Sequence, residues 1–143
     1  MFDENDMILE AKHVTRRFPA SGGRQLTACN DVNLKLYRGK TLGLIGESGC
    51  GKSTFMKFLV RLDIPTEGEI LFKGKDLTKL KGEELRQTRR HIQMVFQDPS
   101  GSFNPKMKIR DIICEPLMNF GKIKVSEKDA VARKYLEMVD LPG

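Results

Sequence analysis

The chain has 143 residues, of which 39% are hydrophobic and 31% charged, and its formal net charge is +6. These values fit a folded protein of single-domain length and exclude a disordered chain, and no apolar run approaches the ~20 residues of a membrane-spanning helix. The acidic start MFDENDMILE is not a secretory signal, and three widely spaced cysteines argue against a disulfide framework or a zinc cluster, so we expect an intracellular protein with reduced thiols.

Two extended segments at the start of the chain predict an antiparallel sheet. MILEAKHVTRRF (7–18) mixes apolar and basic residues in the manner of a strand. LTACNDVNLKLYRG (26–39) alternates apolar and polar residues, which is typical of a strand with one buried face. Between them, PASGGRQ (19–25) is a loop of Pro, Gly and Ser.

The middle of the chain predicts a strand, a helix, a strand and a second helix. KTLGLIG (40–46) is typical of a fully buried strand, and KSTFMKFLVRLD (52–63) of a helix with one apolar face. EILFKGKDL (69–77) predicts a strand with a glycine turn, and GEELRQTRR (82–90) a short charged helix.

Much of the excess positive charge lies between residues 73 and 90. Nucleic-acid binding is one interpretation of such a stretch, and a solvated helix face is the other. Acids are interleaved with the basic residues and no aromatic platform accompanies them, so we expect no nucleic-acid partner. The basic residues are Lys73, Lys75, Lys79, Lys81, Arg86, Arg89 and Arg90, against Asp76, Glu83 and Glu84.

The third part of the chain begins with another apolar alternation. HIQMVFQD (91–98) predicts a strand with Gln97 at its exit, and residues 99–107 predict a loop. IRDIICEPLMNF (109–120) predicts a helix that Pro116 should bend or end.

A last helix is predicted before the terminating DLPG. Ser126 and Asp129 have the spacing of a capping box at its start. Its apolar residues fall on one face, and they are Val131, Tyr135, Met138 and Val139.

GESGCGKST (46–54) has the spacing of a phosphate-binding loop, G-x-x-x-x-G-K-[ST]. Glycines admit backbone angles that let successive N–H groups point at a phosphate, and the following helix adds its unpaired N–H groups and its dipole. A chance glycine-rich turn is the alternative, but a predicted strand before it and an amphipathic helix after it favour nucleotide binding. The cradle consists of Gly46, Glu47, Ser48, Gly49, Cys50, Gly51, Lys52, Ser53 and Thr54.

Three side chains of this loop have predicted roles. Lys52 should reach the β- and γ-phosphate oxygens, and Thr54 can hydrogen-bond the α-phosphate. Ser53 should ligate Mg²⁺, which prefers oxygen ligands and keeps several waters. Cys50 is at a variable position of the motif and has no predicted chemistry.

Four blocks of sequence, in this order, resemble the ATP-binding subunit of an ABC transporter. They are GESGCGKST, PTEGEILFKGKDL, RRHIQMVFQDP and FNPKMKIRDIICEPL, and the resemblance extends from about Ile8 to Leu141. Within the family the chain is most similar to the oligopeptide and dipeptide importers. The resemblance implies an α/β fold, with a strand–P-loop–helix core of the P-loop NTPase type and an N-terminal antiparallel β subdomain, incomplete at the C-terminus.

The resemblance also implies roles for two residues outside the loop. Phe18 matches the family's aromatic residue that stacks on adenine, although an ordinary strand-end aromatic is the alternative. Gln97 matches the family's glutamine that approaches Mg²⁺ and the attacking water, although a solvated glutamine is the alternative. Gln97 and Lys52 are the two predicted catalytic residues. The loop from Asp98 to Pro105 would face the membrane subunits.

Three elements of the family are missing from the 143 residues: a signature of the LSGGQ type, the second acidic motif with its catalytic Glu, and the switch histidine. The two histidines of the chain, His13 and His91, do not occupy the position of the switch histidine. We therefore expect residues 1–143 to be the N-terminal part of an ABC nucleotide-binding domain that binds ATP without hydrolysing it. The resemblance implies a partner ATP-binding subunit, transmembrane permease subunits, and a peripheral place on the cytoplasmic face of the membrane. There are two alternatives: a non-catalytic nucleotide-binding module, and a soluble P-loop enzyme such as a small-molecule kinase.

Overall fold

The computed structural model describes residues 4–98, 101 and 103–142, in two compact units that divide between residues 93 and 94. The first unit holds a four-stranded sheet and two helices, and the second holds two helices. The elements are β1 (Met7–Pro19), β2 (Gln25–Tyr37), α1 (Lys52–Leu59), β3 (Glu67–Phe72), β4 (Lys75–Asp76), α2 (Gly82–Arg89), α3 (Ile109–Asn119) and α4 (Lys128–Glu137).

The sheet has the order β2-β1-β3-β4, and every pairing in it is antiparallel. β1 is central: its Leu9 lies opposite Leu36 of β2 on one side and Phe72 of β3 on the other. The predicted antiparallel sheet at the start of the chain is therefore confirmed, as are the strand with its glycine turn and the short charged helix α2.

A bulge in β1 changes which of its residues face the core. Leu9 and Ala11 are buried at alternate positions, but the next buried residue is Val14, three positions on. His13 has a positive φ of 51°, and both pairings of β1 shift register at this point. The extra residue lets the apolar positions on both sides of His13 reach one core.

The core of the first unit lies between the sheet and α1. Phe55 and Phe58 are one turn apart on α1, and both are almost completely buried, at 2% and 1% exposure. Burying each such ring stabilises the fold by about 1.5–3 kcal/mol. The cluster consists of Leu9, Ala11, Val14, Cys29, Phe55, Phe58, Ile70, Leu77 and Leu80.

The strands predicted at 40–46 and 91–98 are absent, so these two predictions are wrong. Both segments have irregular backbone, and Ile45 and Val95 are each 96% exposed. A strand needs a neighbour that pairs with its N–H and C=O groups. No segment of the described sheet provides one for either run.

The end of α1 also differs from prediction. α1 ends at Leu59 rather than at Asp63, because the chain turns at Arg61, whose φ is 58°. Pro116 does not end α3, which continues for three more residues to Asn119, and the alternative that Pro116 bends the helix stays a prediction. The proline removes one internal hydrogen bond from the helix.

In the second unit α3 packs against α4 through Cys114 and Ala132, which are 0% and 4% exposed. The predicted capping box of Ser126 and Asp129 is wrong: Asp129 accepts a hydrogen bond from Arg110 at 2.9 Å. Glu127 is the capping acid instead, and it accepts the backbone N–H of Lys124 at 2.6 Å.

Of the predicted apolar face of the last helix, only Val131 is half-buried. The other three residues, Tyr135, Met138 and Val139, are exposed. None of the described helices has the length and apolar character needed to cross a membrane.

The bulge predicts an unusual cost for a small substitution in β3. Gly68 has φ +89°, and a Cβ there would lie 2.4 Å from the carbonyl oxygen of His13, whereas Gly74, with φ +79°, has open space around it. Gly74→Ala should therefore lower the free energy of unfolding by about 1–2 kcal/mol through backbone strain alone. Gly68→Ala should cost at least about 1 kcal/mol more, because backbone must also move. Urea unfolding measures the free energy of unfolding of both variants. Equal losses of stability in the two variants would contradict the close approach of β3 to the bulge.

Candidate phosphate-binding site

The glycine-rich turn is held against β2 by a contact that leaves no room for a side chain. Gly51 has φ +94°, and a Cβ there would lie 2.0 Å from the carbonyl oxygen of Ala28. The thiol of Cys29 donates to the carbonyl of Gly51 at 3.6 Å. Gly51 is also the N-cap of α1, so one residue joins strand, turn and helix. Only glycine fits this position.

Lys52 lies across the turn. Its Nζ donates to the carbonyl oxygens of Gly46 and Glu47, each at 2.5 Å, and lies 3.3 Å from the Sγ of Cys50. A Cβ on Gly46 would lie 2.7 Å from that Sγ and 3.6 Å from the Nζ. The absence of a side chain at Gly46 thus keeps the inside of the turn open around the ammonium group.

The N-terminus of α1 adds backbone donors at the same place. The first internal bond of the helix is donated by Phe55 to Gly51 at 2.9 Å, so the N–H groups of Lys52, Ser53 and Thr54 have no acceptor within the helix. The first turn of the helix contains no acidic residue. Backbone N–H groups, the helix dipole and one ammonium group together make a site suited to an anion with several oxygens.

Two cysteine thiols next to the turn have opposite electrostatic environments. The hydrogen bond with Lys52 lowers the pKa of the exposed Cys50 thiol, because the ammonium group favours the thiolate. Burial raises the pKa of the Cys29 thiol, and the neighbouring Cys50 adds to that rise. At neutral pH Cys50 therefore carries more thiolate than Cys29.

Phe18 belongs to the same unit as the turn. It is half-buried near the end of β1 and lies opposite Leu26 of β2. Leu26 is two residues from Ala28, which contacts Gly51, and two residues of a strand span about 7 Å. The pairing of β1 with β2 thus places the predicted base-stacking residue close to the predicted phosphate cradle.

Gln97 lies in the second unit, where it is exposed and its backbone forms a bend. Its predicted roles in catalysis and in Mg²⁺ binding stay predictions. Of the predicted permease-facing loop from Asp98 to Pro105, residues 99, 100 and 102 lie outside the described residues.

Sequence reasoning missed one residue next to this site, Arg16. Its guanidinium lies over the Phe18 ring, with 4.6 Å from Cζ to the ring centroid. Residues two apart on a strand share a face, so the spacing of Arg16 and Phe18 was a usable signal.

Comparison with a family model gives a match over most of the chain. Residues 29–143 match the model of the family described as ABC transporter. The matched range includes the whole glycine-rich turn and begins in β2.

Curated relatives with similar sequences are transport proteins. The chain is 42% identical to the oligopeptide transport ATP-binding protein AppF of Bacillus subtilis, and the match covers 95% of this chain and 44% of AppF. It is 41% identical to OppF of Salmonella typhimurium, with 90% and 41% covered. It is 41% identical to the dipeptide transport ATP-binding protein DppF of Lactococcus lactis, with 96% and 45% covered. The chain thus spans less than half the length of these relatives.

Solved structures agree with this match and confirm the α/β cassette fold. One is the dimeric structure of MJ0796, a bacterial ABC transporter cassette, with a TM-score of 0.81 and 29% identity over 94% of this chain and 58% of that one. Another is a dimeric post-hydrolysis state of the same cassette bound to ADP and Pi, with a TM-score of 0.78 and 28% identity over the same shares.

The contact between Lys52 and Cys50 predicts the reactivity of the thiol. A lowered pKa leaves more thiolate at pH 7, so iodoacetamide should modify Cys50 faster than the buried Cys114. Lys52→Met removes the ammonium group, returns the pKa of Cys50 upward and should slow this reaction at pH 7. Lys57→Met, on the same helix, is the control and should leave the rate unchanged. Mass spectrometry of the Cys50 peptide measures the rate of modification across pH 6–9. The same pH profile for the unchanged chain, Lys52→Met and Lys57→Met would contradict the contact between Lys52 and Cys50.

Proposed function

Because this chain belongs to the ABC transporter family, we propose that its glycine-rich turn binds the phosphates of ATP and that the chain is the nucleotide-binding part of a transport ATPase. The observation that carries the proposal is the position of Lys52. Its Nζ donates to the carbonyl oxygens of Gly46 and Glu47. It lies at the N-terminus of α1, where the first N–H groups of the helix have no internal acceptor.

In the proposed site, different groups bind the three phosphates of ATP. The Nζ of Lys52 would exchange its carbonyl partners for β- and γ-phosphate oxygens, which are stronger acceptors because they are charged. The N–H groups of residues 49 and 51–54 would surround the β-phosphate, and the Thr54 hydroxyl would bond the α-phosphate. Gly51 keeps these groups in place, because its contact with Ala28 fixes the turn against β2.

Mg²⁺ fits the hydroxyl of Ser53, which is exposed on the first turn of α1. An oxygen ligand of this kind suits the ion, and Mg²⁺ bound there would neutralise phosphate charge. We propose Gln97 as a second residue that approaches the ion and the attacking water, since an amide both donates and accepts without adding charge.

Phe18 is the proposed contact for the adenine base. Phe18 lies opposite Leu26 of β2, two residues along that strand from Ala28, which contacts the turn at Gly51. Stacking of a base on an aromatic ring is worth about 1–3 kcal/mol in nucleic-acid complexes, and a similar gain is expected here.

For the whole protein we propose that ATP hydrolysis drives import of peptides. The support is the names of the relatives, which are oligopeptide and dipeptide transport ATP-binding proteins. The proposed partners are a second ATP-binding subunit and transmembrane permease subunits, and the proposed location is the cytoplasmic face of the membrane. Since the 143 residues contain neither an LSGGQ-type signature nor the second acidic motif, the chain by itself should bind ATP without releasing phosphate.

The proposed phosphate site predicts the effect of removing one charge. Lys52→Ala should weaken both MgATP and magnesium tripolyphosphate by about 10- to 100-fold, because a charge-assisted hydrogen bond is lost for each ligand. Lys57→Ala removes an exposed lysine near the other end of α1 and should leave both affinities unchanged. Isothermal titration calorimetry measures the affinity of each variant for both ligands. Undiminished ATP binding by Lys52→Ala would contradict the proposed function.

A further inference from the structure

Arg16 and Phe18 form a stacked pair on one face of β1. The Cζ of Arg16 is 4.6 Å from the centroid of the Phe18 ring, within the range of a cation–π interaction. The guanidinium is planar and delocalised, so it can lie flat on an aromatic face. One face of the Phe18 ring is therefore covered by protein, while the ring remains half-buried rather than enclosed.

The guanidinium of Arg16 is fixed by the segment that follows α1. Its Nη1 donates to the carbonyl of Ile64 at 2.7 Å, and its Nη2 pairs with the carboxylate of Asp63 at 3.2 Å. Asp63 is itself oriented, because it accepts the backbone N–H of Ile64 at 2.8 Å. The Arg16 side chain is only 23% exposed. With two anchored nitrogens and a ring beneath it, this side chain has little freedom to move.

The same segment is joined to β1 by two hydrogen bonds of Thr66. Thr66 donates its N–H to the carbonyl of Thr15 at 2.8 Å, and its hydroxyl accepts the N–H of Arg17 at 3.0 Å. This segment leaves α1, whose other end carries the glycine-rich turn. The end of β1 and the phosphate cradle are thus parts of one connected frame within the first unit.

We propose that Arg16 is a positioning residue for nucleotide-base recognition: it holds the Phe18 ring in one orientation, with the uncovered ring face presented to a purine. The inference rests on the proposed function, since it concerns the base of the nucleotide whose phosphates the turn binds. A ring that is already fixed loses less conformational entropy when a base stacks on it, so affinity for the base rises without a contact between Arg16 and the ligand.

Arg17 is a matched control on the same strand. It too is an arginine paired with an acid, since its Nη1 bonds Glu67 at the start of β3. Within the described part of the chain, Arg16 and not Arg17 lies over an aromatic ring. Replacing either arginine by Gln removes the same charge and one ion pair. Arg16→Gln also removes the hydrogen bond to Ile64, and it alone frees the Phe18 ring.

The test compares MgATP with magnesium tripolyphosphate, which shares the phosphates but lacks the base. In the 143-residue chain, Arg16→Gln should weaken ATP by about three- to fivefold, the worth of a partly exposed cation–π pair, and leave tripolyphosphate unchanged. Arg17→Gln should leave both ligands unchanged. In a Phe18→Ala background, which is itself weaker for ATP, Arg16→Gln should have no further effect, because the ring it positions is gone.

Several results would overturn the inference. Among them are an equal loss for both ligands, no loss for ATP, or the same ATP loss with and without Phe18. If Arg16→Gln does not fold, as judged by thermal unfolding, Arg16→Lys replaces it. An ammonium keeps the pairing with Asp63 but cannot lie flat on the ring, so selective weakening of ATP supports the inference and wild-type affinity contradicts it. Failure of the proposed function is a separate result: a wild-type chain that binds neither ligand, or a Lys52→Ala chain that binds ATP undiminished.

Discussion

The approach of Gly51 to the carbonyl oxygen of Ala28 is the constraint on which the site depends. A Cβ at that position would be 2.0 Å from the oxygen, so the turn can rest on β2 only because residue 51 has no side chain. The contact fixes where α1 begins, and the direction of α1 decides that Phe55 and Phe58 enter the core. Stability and phosphate binding therefore share one contact.

The antiparallel sheet has a second role, which is to set the distance between the two ends of the nucleotide. β1 and β2 pair antiparallel, with Phe18 near the end of one strand and the Gly51 contact on the other. The bulge at His13 lets Leu9, Ala11 and Val14 all reach the core, and Arg16 and Phe18 stack on each other farther along the same strand. A purine and a phosphate chain could then be held by elements whose relative position is fixed by backbone hydrogen bonds.

Local chemistry in the sequence was enough to predict the turn, α1, α2 and the antiparallel sheet, because turn glycines, helical periodicity and strand alternation act over a few residues. It failed at 40–46 and 91–98, where apolar runs require pairing partners distant in sequence, and no described strand pairs with them. The predicted capping box with Asp129 is wrong because Asp129 forms an ion pair with Arg110 instead. The Arg16 stack depends on Asp63 and Ile64, which only the fold brings to β1.

Backbone amide chemical shifts test the central claim most directly, because the claim is that the N–H groups of residues 49 and 51–54 bind the phosphates. In a ¹⁵N-labelled chain, MgATP and magnesium tripolyphosphate should shift the amide signals of Gly49, Gly51, Lys52 and Ser53, while adenosine should leave them in place. ATP that binds with these signals unmoved and others shifted would contradict the account.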